Sequence, residues 1–451
     1  MERIPREIVE FFEAYPGQSF MIKGRPGTGK TILALEILRE VCDRGNGLYL
    51  TTRVEPKRLY DLFPWIRDFI PEQNMIDATQ AKIRRVLGVE GGGLKTPNYD
   101  VVLSFFRSVY EDAAEMENPM IVIDSWNGIL AHLGLERFMA PLTQGICEFC
   151  RDTETHVIFV VEQDTPTSID YAVDGMVTLY RPWMGSPEAY TQGSEEIVER
   201  RRIREIEINK LRGFPIRQSR YLFTLHEGRF RFFPPYMEDL SITPKPIPDI
   251  SEACMSTGIR DLDEILGGLP SGSFHLWEVR YGVGKRYDQM LLQVCLNASA
   301  NGRGIVGIPP LRSSVLERGI QNLRTYHPKT YDVSVEVSSF TSVIQDAYER
   351  TKKPAFIFIS LDELGNVFSL NNAMKFLGSI ADISGETEMI ASVLLIGQYG
   401  SEIAKAVAPT VDSHIVLSDV NGALTLHGVR PPTGLYGVTS SGEGIQLTPI
   451  V

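Results

Sequence analysis

Gly24-Arg25-Pro26-Gly27-Thr28-Gly29-Lys30-Thr31 fits G-x-x-x-x-G-K-[ST], the phosphate-binding loop, at every position. Before it stands Ser19-Phe20-Met21-Ile22-Lys23, short and largely apolar, the pattern of a buried strand. After it comes Ile32-Leu33-Ala34-Leu35-Glu36-Ile37-Leu38, with an apolar face at helical spacing. A strand, a glycine-rich turn and a helix in that order aim backbone N–H groups at an anion, where the helix dipole favours negative charge. Gly24, Gly27, Thr28, Gly29, Lys30 and Thr31 are therefore the expected cofactor-binding set. Lys30 would reach the β- and γ-phosphates of ATP, and the Thr31 hydroxyl would hold Mg2+. Whether the nucleotide is hydrolysed is a separate question.

The bulk numbers bound the rest. At 451 residues the chain is long enough for two domains with full cores, and 43% hydrophobic residues is ordinary for a globular protein. A net charge of −12 argues against a general nucleic-acid binder, which needs a basic surface to displace counterions. The cysteines are Cys42, Cys147, Cys150, Cys254 and Cys295, an odd and scattered set that reads as reduced. Cys147 and Cys150 fall in a helical-looking stretch with no second ligand pair nearby, so helix packing is the expected role. The first residues are too charged for a signal peptide, and no apolar run approaches a membrane span. A cytoplasmic protein is expected.

In chain order, residues 4–15 predict an amphipathic helix with Ile8, Phe11, Phe12 and Tyr15 on one face. Gly47 to Thr52 reads as a second strand, followed by a polar turn with Arg53, Glu55 and Pro56. Helices are expected over 56–70, 78–88 and roughly 99–116, with a loop at Gly91-Gly92-Gly93. Met120-Ile121-Val122-Ile123-Asp124 is an apolar run ending in a carboxylate. A buried parallel strand would deliver Asp124 to the sheet edge, where it holds Mg2+ together with Thr31. Val157 to Val161 is another buried strand, ending in Glu162 and Gln163. Strands alternating with helices make this an α/β protein with a parallel sheet. Further on, Ile206 and Ile208 alternate as in a strand, with Tyr221 to Leu225 as hairpin partner. Arg200 to Arg204 reads as a solvated charged face. Five prolines between 234 and 250 suggest a stiff linker over 239–250, separating domains at 1–238 and 251–451.

Thr257-Gly258-Ile259, Leu262-Asp263 and Gly267-Gly268-Leu269-Pro270 resemble the opening of a KaiC-type domain of the RecA superfamily. In that family a phosphate loop follows. Here the matching stretch is Val279-Arg280-Tyr281-Gly282-Val283-Gly284-Lys285-Arg286, with Val279 for the first glycine and Arg286 for the Mg2+-binding hydroxyl. Phe356-Ile357-Phe358-Ile359-Ser360 puts serine where the carboxylate belongs, with Asp362 two residues late. The first half resembles the same family through Ile123-Asp124-Ser125, Ala172-Val173-Asp174-Gly175 and Lys210-Leu211-Arg212-Gly213, and Val411-Asp412-Ser413 echoes the second of these. The resemblance implies two tandem RecA/KaiC-like P-loop domains with mostly parallel sheets flanked by helices, the second a pseudo-ATPase. It also implies that Lys210 and Arg212 reach the γ-phosphate held by a neighbouring subunit of a ring. Family members carry two adjacent glutamates before a proline to orient the attacking water. Here Thr52-Arg53-Val54-Glu55-Pro56 puts Arg53 and Val54 at those positions and displaces Glu55 by one. Glu162 is the alternative carboxylate, and hydrolysis is expected to be slow or absent. Within the superfamily, the Ile4–Thr31 entry, the Thr-Arg-Val-x-Pro turn and the arginine-rich stretch are similar to the GvpD family of archaeal gas-vesicle regulators.

Three functions follow as expectations. One is a regulatory ATP-binding protein whose nucleotide state is read through assembly or by a protein partner. Another is an active KaiC-like ATPase or phosphotransferase, which needs an acceptor hydroxyl; Ser440 and Ser441 stand in a Gly-rich tail without a competent second site. A RecA-like DNA-handling role is opposed by the acidic balance.

Overall fold

The computed structural model describes residues 3–78, 109–111, 116–133, 135–184, 201–239, 244–310, 320 and 322–451. The helix expected over 78–88 and the loop at 91–93 lie outside these, as do Arg200 and most of the helix expected over 99–116. The chain divides into two compact units, Met1–Pro234 with Ile450–Val451, and Pro235–Pro449.

The first unit opens with α1 (Arg6–Ala14), β1 (Ser19–Gly24), α2 (Lys30–Val41), β2 (Gly47–Thr51), α3 (Pro56–Leu62) and β3 (Met75–Asp77). It continues with β4 (Met120–Asp124), α4 (Trp126–Leu133), α5 (Met139–Asp152), β5 (His156–Val161) and β6 (Gly175–Tyr180), and closes with β7 (Glu205–Leu211), β8 (Arg220–Thr224) and β9 (Arg231–Phe233). The sheet runs β3-β2-β4-β5-β1-β6-β7-β8-β9. Pairings from β3 through β6 are parallel, and those beyond β6 are antiparallel.

Alternation along each strand sorts the core into two layers. Phe20, Ile22, Tyr49, Val122 and Ile158 pack with α1 and α2 on one face. Met21, Leu50, Ile123 and Phe159 pack with Trp126, Ile129, Leu142 and Ile146 on the other. A parallel sheet covered on both faces reads in sequence as continuous apolar runs, as these strands do. Ile8, Phe11 and Phe12 are buried as the helical spacing predicts, but Tyr15 lies beyond the end of α1 and is 62% exposed. The helix expected over 56–70 stops at Leu62, and a short 3-10 turn covers Pro64–Asp68. Pro64 has no N–H to donate and disfavours helical backbone at Phe63.

The second unit repeats the plan. After β10 (Cys254–Met255), α6 (Arg260–Leu266) and β11 (Leu269–Pro270) come β12 (Ser273–Val279), α7 (Asp288–Ala300), β13 (Ile305–Ile308) and β14 (Leu323–Thr325). Then follow α8 (Val333–Thr351), β15 (Ala355–Ser360), α9 (Leu361–Val367), α10 (Leu370–Glu386), β16 (Ile390–Gln398), α11 (Glu402–Val407) and β17 (Ser413–Val420). Last are β18 (Ala423–Arg430), β19 (Leu435–Ser441) and β20 (Gly444–Pro449). The strand order β14-β13-β15-β16-β12-β17-β18-β19-β20 matches the first sheet strand for strand.

One aspartate marks the duplication chemically. Asp174 accepts from the Ser19 hydroxyl at 2.6 Å, tying the start of β1 to the start of β6. Asp412 accepts from the Phe274 N–H at 2.8 Å at the same place in the second sheet. Residues 244–250, expected between the domains, belong to the second unit, where the Ile247 N–H donates to Asn297 Oδ1 at 2.7 Å. Ser440 and Ser441, expected in a tail, end β19, which pairs with β20 along Tyr436 to Ser441. The alternation of Tyr436, Val438, Ile445 and Leu447 outweighs the glycines there.

Candidate functional site

β1 ends at Gly24 between β5 and β6, so the loop leaves the sheet at the carboxyl edge of its parallel part. Open parallel sheets place their ligands at that edge. Gly24 has φ +152°, and a Cβ there would meet Thr28 Oγ1 at 2.7 Å and Leu179 O at 2.8 Å. Gly29 has φ +106° and opens α2, a backbone shape that L side chains rarely adopt. The Thr28 hydroxyl donates to Arg25 O at 2.9 Å, and Lys30 Nζ donates to the same carbonyl at 3.0 Å. Burial lowers the pKa of the Lys30 ammonium, while the Glu162 and Asp124 carboxylates oppose that shift.

Thr31 lies in the first turn of α2 and Asp124 ends β4, and the fold brings them together. The Thr31 hydroxyl donates to Asp124 Oδ2 at 2.6 Å. The Tyr49 hydroxyl, from the middle of β2, donates to the same oxygen at 2.6 Å. Burial pushes the Asp124 pKa up, and the two hydroxyl donors pull it down. A hydroxyl and a carboxylate converging beside a glycine-rich loop is the oxygen donor set that a hard divalent cation takes, so these residues fit Mg2+. Sequence reasoning missed Tyr49. Its one signal was a tyrosine inside an otherwise apolar strand, where a buried phenol needs a partner.

The neighbouring turn carries Arg53, Val54 and Glu55. Arg53 Nη2 lies 2.6 Å from Glu162 Oε2. Since β2 and β5 both flank β4, that ion pair spans the carboxyl end of β4, where Asp124 sits. Val54 is folded into the turn, its carbonyl accepting from the Thr51 hydroxyl at 2.6 Å. Glu55 is exposed at the start of α3 and makes no side-chain cap.

Lys210 and Arg212 stand elsewhere. β7 meets β6 with Lys210 opposite Met176, at the end of the sheet away from Gly24. Lys210 Nζ donates to Val173 O at 2.6 Å, and Arg212 Nη1 lies 2.8 Å from Asp174 Oδ1. Neither reaches the loop of its own chain. Arg204 does: its Nη1 donates to Gly27 O at 3.1 Å and Thr28 O at 3.2 Å, so this member of the arginine run braces the loop rather than a solvated face.

In the second unit the strand register puts Val279 at the place of Gly24, Ser360 at that of Asp124 and Gly307 at that of Tyr49. The hydroxyl partner is thus absent along with the carboxylate. Ser360 instead caps α9 by accepting from the Glu363 N–H at 3.4 Å. Arg286 turns onto the loop itself, donating to Val283 O at 2.9 Å, to Gly282 O and to Gly422 O, and pairs with Asp419 at 2.7 Å. The residue at the place of Thr31 thus offers no hydroxyl, and its guanidinium is held by the loop and by the turn between β17 and β18.

Cys147 and Cys150 are buried free thiols in α5, with burial pushing their pKa values up to about 11 and about 12. Among the described residues no helix is long and apolar enough to cross a membrane.

A glycine-rich turn between β1 and α2, facing an aspartate at the end of β4, defines a P-loop protein, here with the fold present twice. Residues 8–182 match the family model described as GvpD gas vesicle protein, P-loop domain, and over that stretch the chain is similar to it. It is 26% identical to Protein GvpD2 of Halobacterium salinarum over 99% of this chain and 96% of that protein. It is 29% identical to Protein GvpD1 of the same organism over 69% of this chain and 57% of that one.

Proposed function

We propose that the protein is an ATP-binding regulator whose nucleotide state, set in the first unit, is read through assembly or by a protein partner. The convergence of Thr31, Tyr49 and Asp124 beside Lys30 carries this reading. Bound at Thr31 and Asp124, Mg2+ would neutralise phosphate charge. The loop amides and Lys30 would hold the phosphates. Beside the loop a cavity of about 420 Å3, lined by Arg25, Thr28, Tyr180, Trp183 and Arg202, has room for the nucleoside. Its Trp183 ring is already stacked by Arg202 at 4.6 Å.

Slow turnover is part of the proposal. A general base must lie within hydrogen-bond reach of the water it activates. Glu55 is exposed at the start of α3, and the Arg53 guanidinium crowds Glu162. A switch tolerates slow hydrolysis. The second unit, with Arg286 and Ser360 in place of the cation ligands, serves as a pseudo-ATPase. Similarity to GvpD proteins supports a role in gas-vesicle regulation, and a cytoplasmic location fits that role.

The test is direct. Purified protein is assayed for Mg-ATP binding and turnover, and its mass is measured with and without Mg-ATP. Tight binding with turnover far below ~1–10 s⁻¹ is expected. Ordinary turnover would favour an active KaiC-like ATPase, and absence of binding would remove the proposal.

A further inference from the structure

Arg53 stands where the family resemblance expects a carboxylate, and its partner is the residue best placed to replace that carboxylate. The Arg53–Glu162 pair, 2.6 Å apart, reaches from the turn after β2 to the end of β5 and crosses the end of β4. The two side chains are unequally free. Arg53 is 56% exposed, whereas Glu162 is 21% exposed and its backbone N–H is anchored on Asn127 Oδ1 at 3.0 Å. An ion pair this open to water is weakly held and exchanges readily.

Four charges share the pocket: the Lys30 ammonium, the Arg53 guanidinium and the carboxylates of Asp124 and Glu162. Without nucleotide they balance. Even with Mg2+ bound, a nucleoside triphosphate leaves more negative charge beside the two carboxylates than a diphosphate does, which favours moving a cation toward its terminal phosphate. A planar guanidinium can bond phosphate oxygens with two parallel N–H groups, which makes it the better partner there than on one carboxylate oxygen. A diphosphate ends one phosphate short and brings no such demand.

We propose that Arg53 reads the γ-phosphate. With a nucleoside triphosphate in the loop, its guanidinium leaves Glu162 and pairs with the terminal phosphate; with a diphosphate it stays on Glu162. The substitution that removes a general base thereby supplies a sensor. The turn that carries Arg53 runs directly into α3, so the exchange has a mechanical output at Pro56. This rests on the nucleotide-site reading above.

The test is titration calorimetry of the full chain with Mg-AMPPNP, a triphosphate that is not hydrolysed, and with Mg-ADP. Arg53→Gln should weaken triphosphate binding about 10-fold and leave ADP binding within about twofold, the scale of one charge-assisted contact. Glu162→Gln frees the guanidinium and should shift triphosphate preference the other way. If Arg53→Gln weakens both nucleotides equally, or neither, or if Glu162→Gln shifts preference in the same direction, the inference is overturned while the site stands. If the parent binds neither nucleotide, both readings fall. Unchanged thermal unfolding of the two variants without nucleotide separates these outcomes from misfolding.

Discussion

The Tyr49 hydroxyl donates to Asp124 Oδ2 at 2.6 Å, and the second unit lacks both partners together, with Gly307 and Ser360 in their places. Paired loss indicates that the phenol serves the carboxylate rather than the strand. Removing it leaves Asp124 with the Thr31 bond alone. Tyr49→Phe should therefore lower stability at neutral pH by about 1.5–3 kcal/mol, the scale for a hydrogen bond to a charged group, in chemical denaturation. Unchanged stability together with unchanged Mg2+ dependence of nucleotide binding would remove Tyr49 from the site.

Lys30 and Lys285 test the inequality of the two units. Lys30→Ala should abolish tight Mg-ATP binding, since the buried ammonium beside Arg25 O is the loop's one lysine. Lys285→Ala should change binding little, because the second unit has Arg286 and Ser360 at the places of the cation ligands Thr31 and Asp124. Equal losses in a nucleotide-binding assay would show that both loops hold nucleotide.

Two buried histidines set an acid limit. His156 accepts from the Gln18 N–H at 3.1 Å, and His275 lies between the Ser273 and Ser413 hydroxyls, 2.6 Å from each. Burial lowers both pKa values from 6.5 to about 4. The unfolded chain then binds more protons between those values, so stability is full above pH 6.5 and is lost as pH falls through about 4. Each histidine contributes on the order of 3 kcal/mol to that loss. Denaturant midpoints measured between pH 4 and 7 should rise with pH. His156→Gln should reduce the slope by about one proton, and an unchanged slope would show that His156 does not titrate there.

Arg212 tests ring assembly. It pairs with Asp174 within the chain, but Asp174 keeps its bond to Ser19 without it, so Arg212→Ala should still fold. If a neighbouring subunit's phosphate draws on Arg212, Mg-ATP should promote assembly of the parent and not of the variant, in sedimentation. A parent that stays monomeric at saturating Mg-ATP would exclude the ring role of Lys210 and Arg212.

Most of the site was legible because its chemistry depends on local order. Glycines at fixed intervals, a lysine and a hydroxyl must follow one strand and open one helix, and a periodic apolar pattern marks both elements. Asp124 was legible for a similar reason, as the carboxylate that ends an apolar run. The strands past β17 were less so, since glycines at 434, 437, 442 and 444 mask a short alternating pattern. The break after Leu62 was missed because amphipathic spacing continues past Pro64, although the proline ring does not permit the helix to do so.

By itself the sequence determined two things: a phosphate loop intact in the first half and eroded in the second, and an Arg53-Val54 turn after the second strand, where the family resemblance implies carboxylates. These are identities at positions counted along one strand or turn, and no distant contact changes them. Tertiary structure decided the partners: Tyr49 on Asp124, Arg53 on Glu162, Arg204 on the loop carbonyls and Lys210 at the opposite sheet edge. Each of these joins residues on different strands or loops, and the order β2-β4-β5-β1-β6-β7 alone brings them within hydrogen-bond reach or keeps them apart.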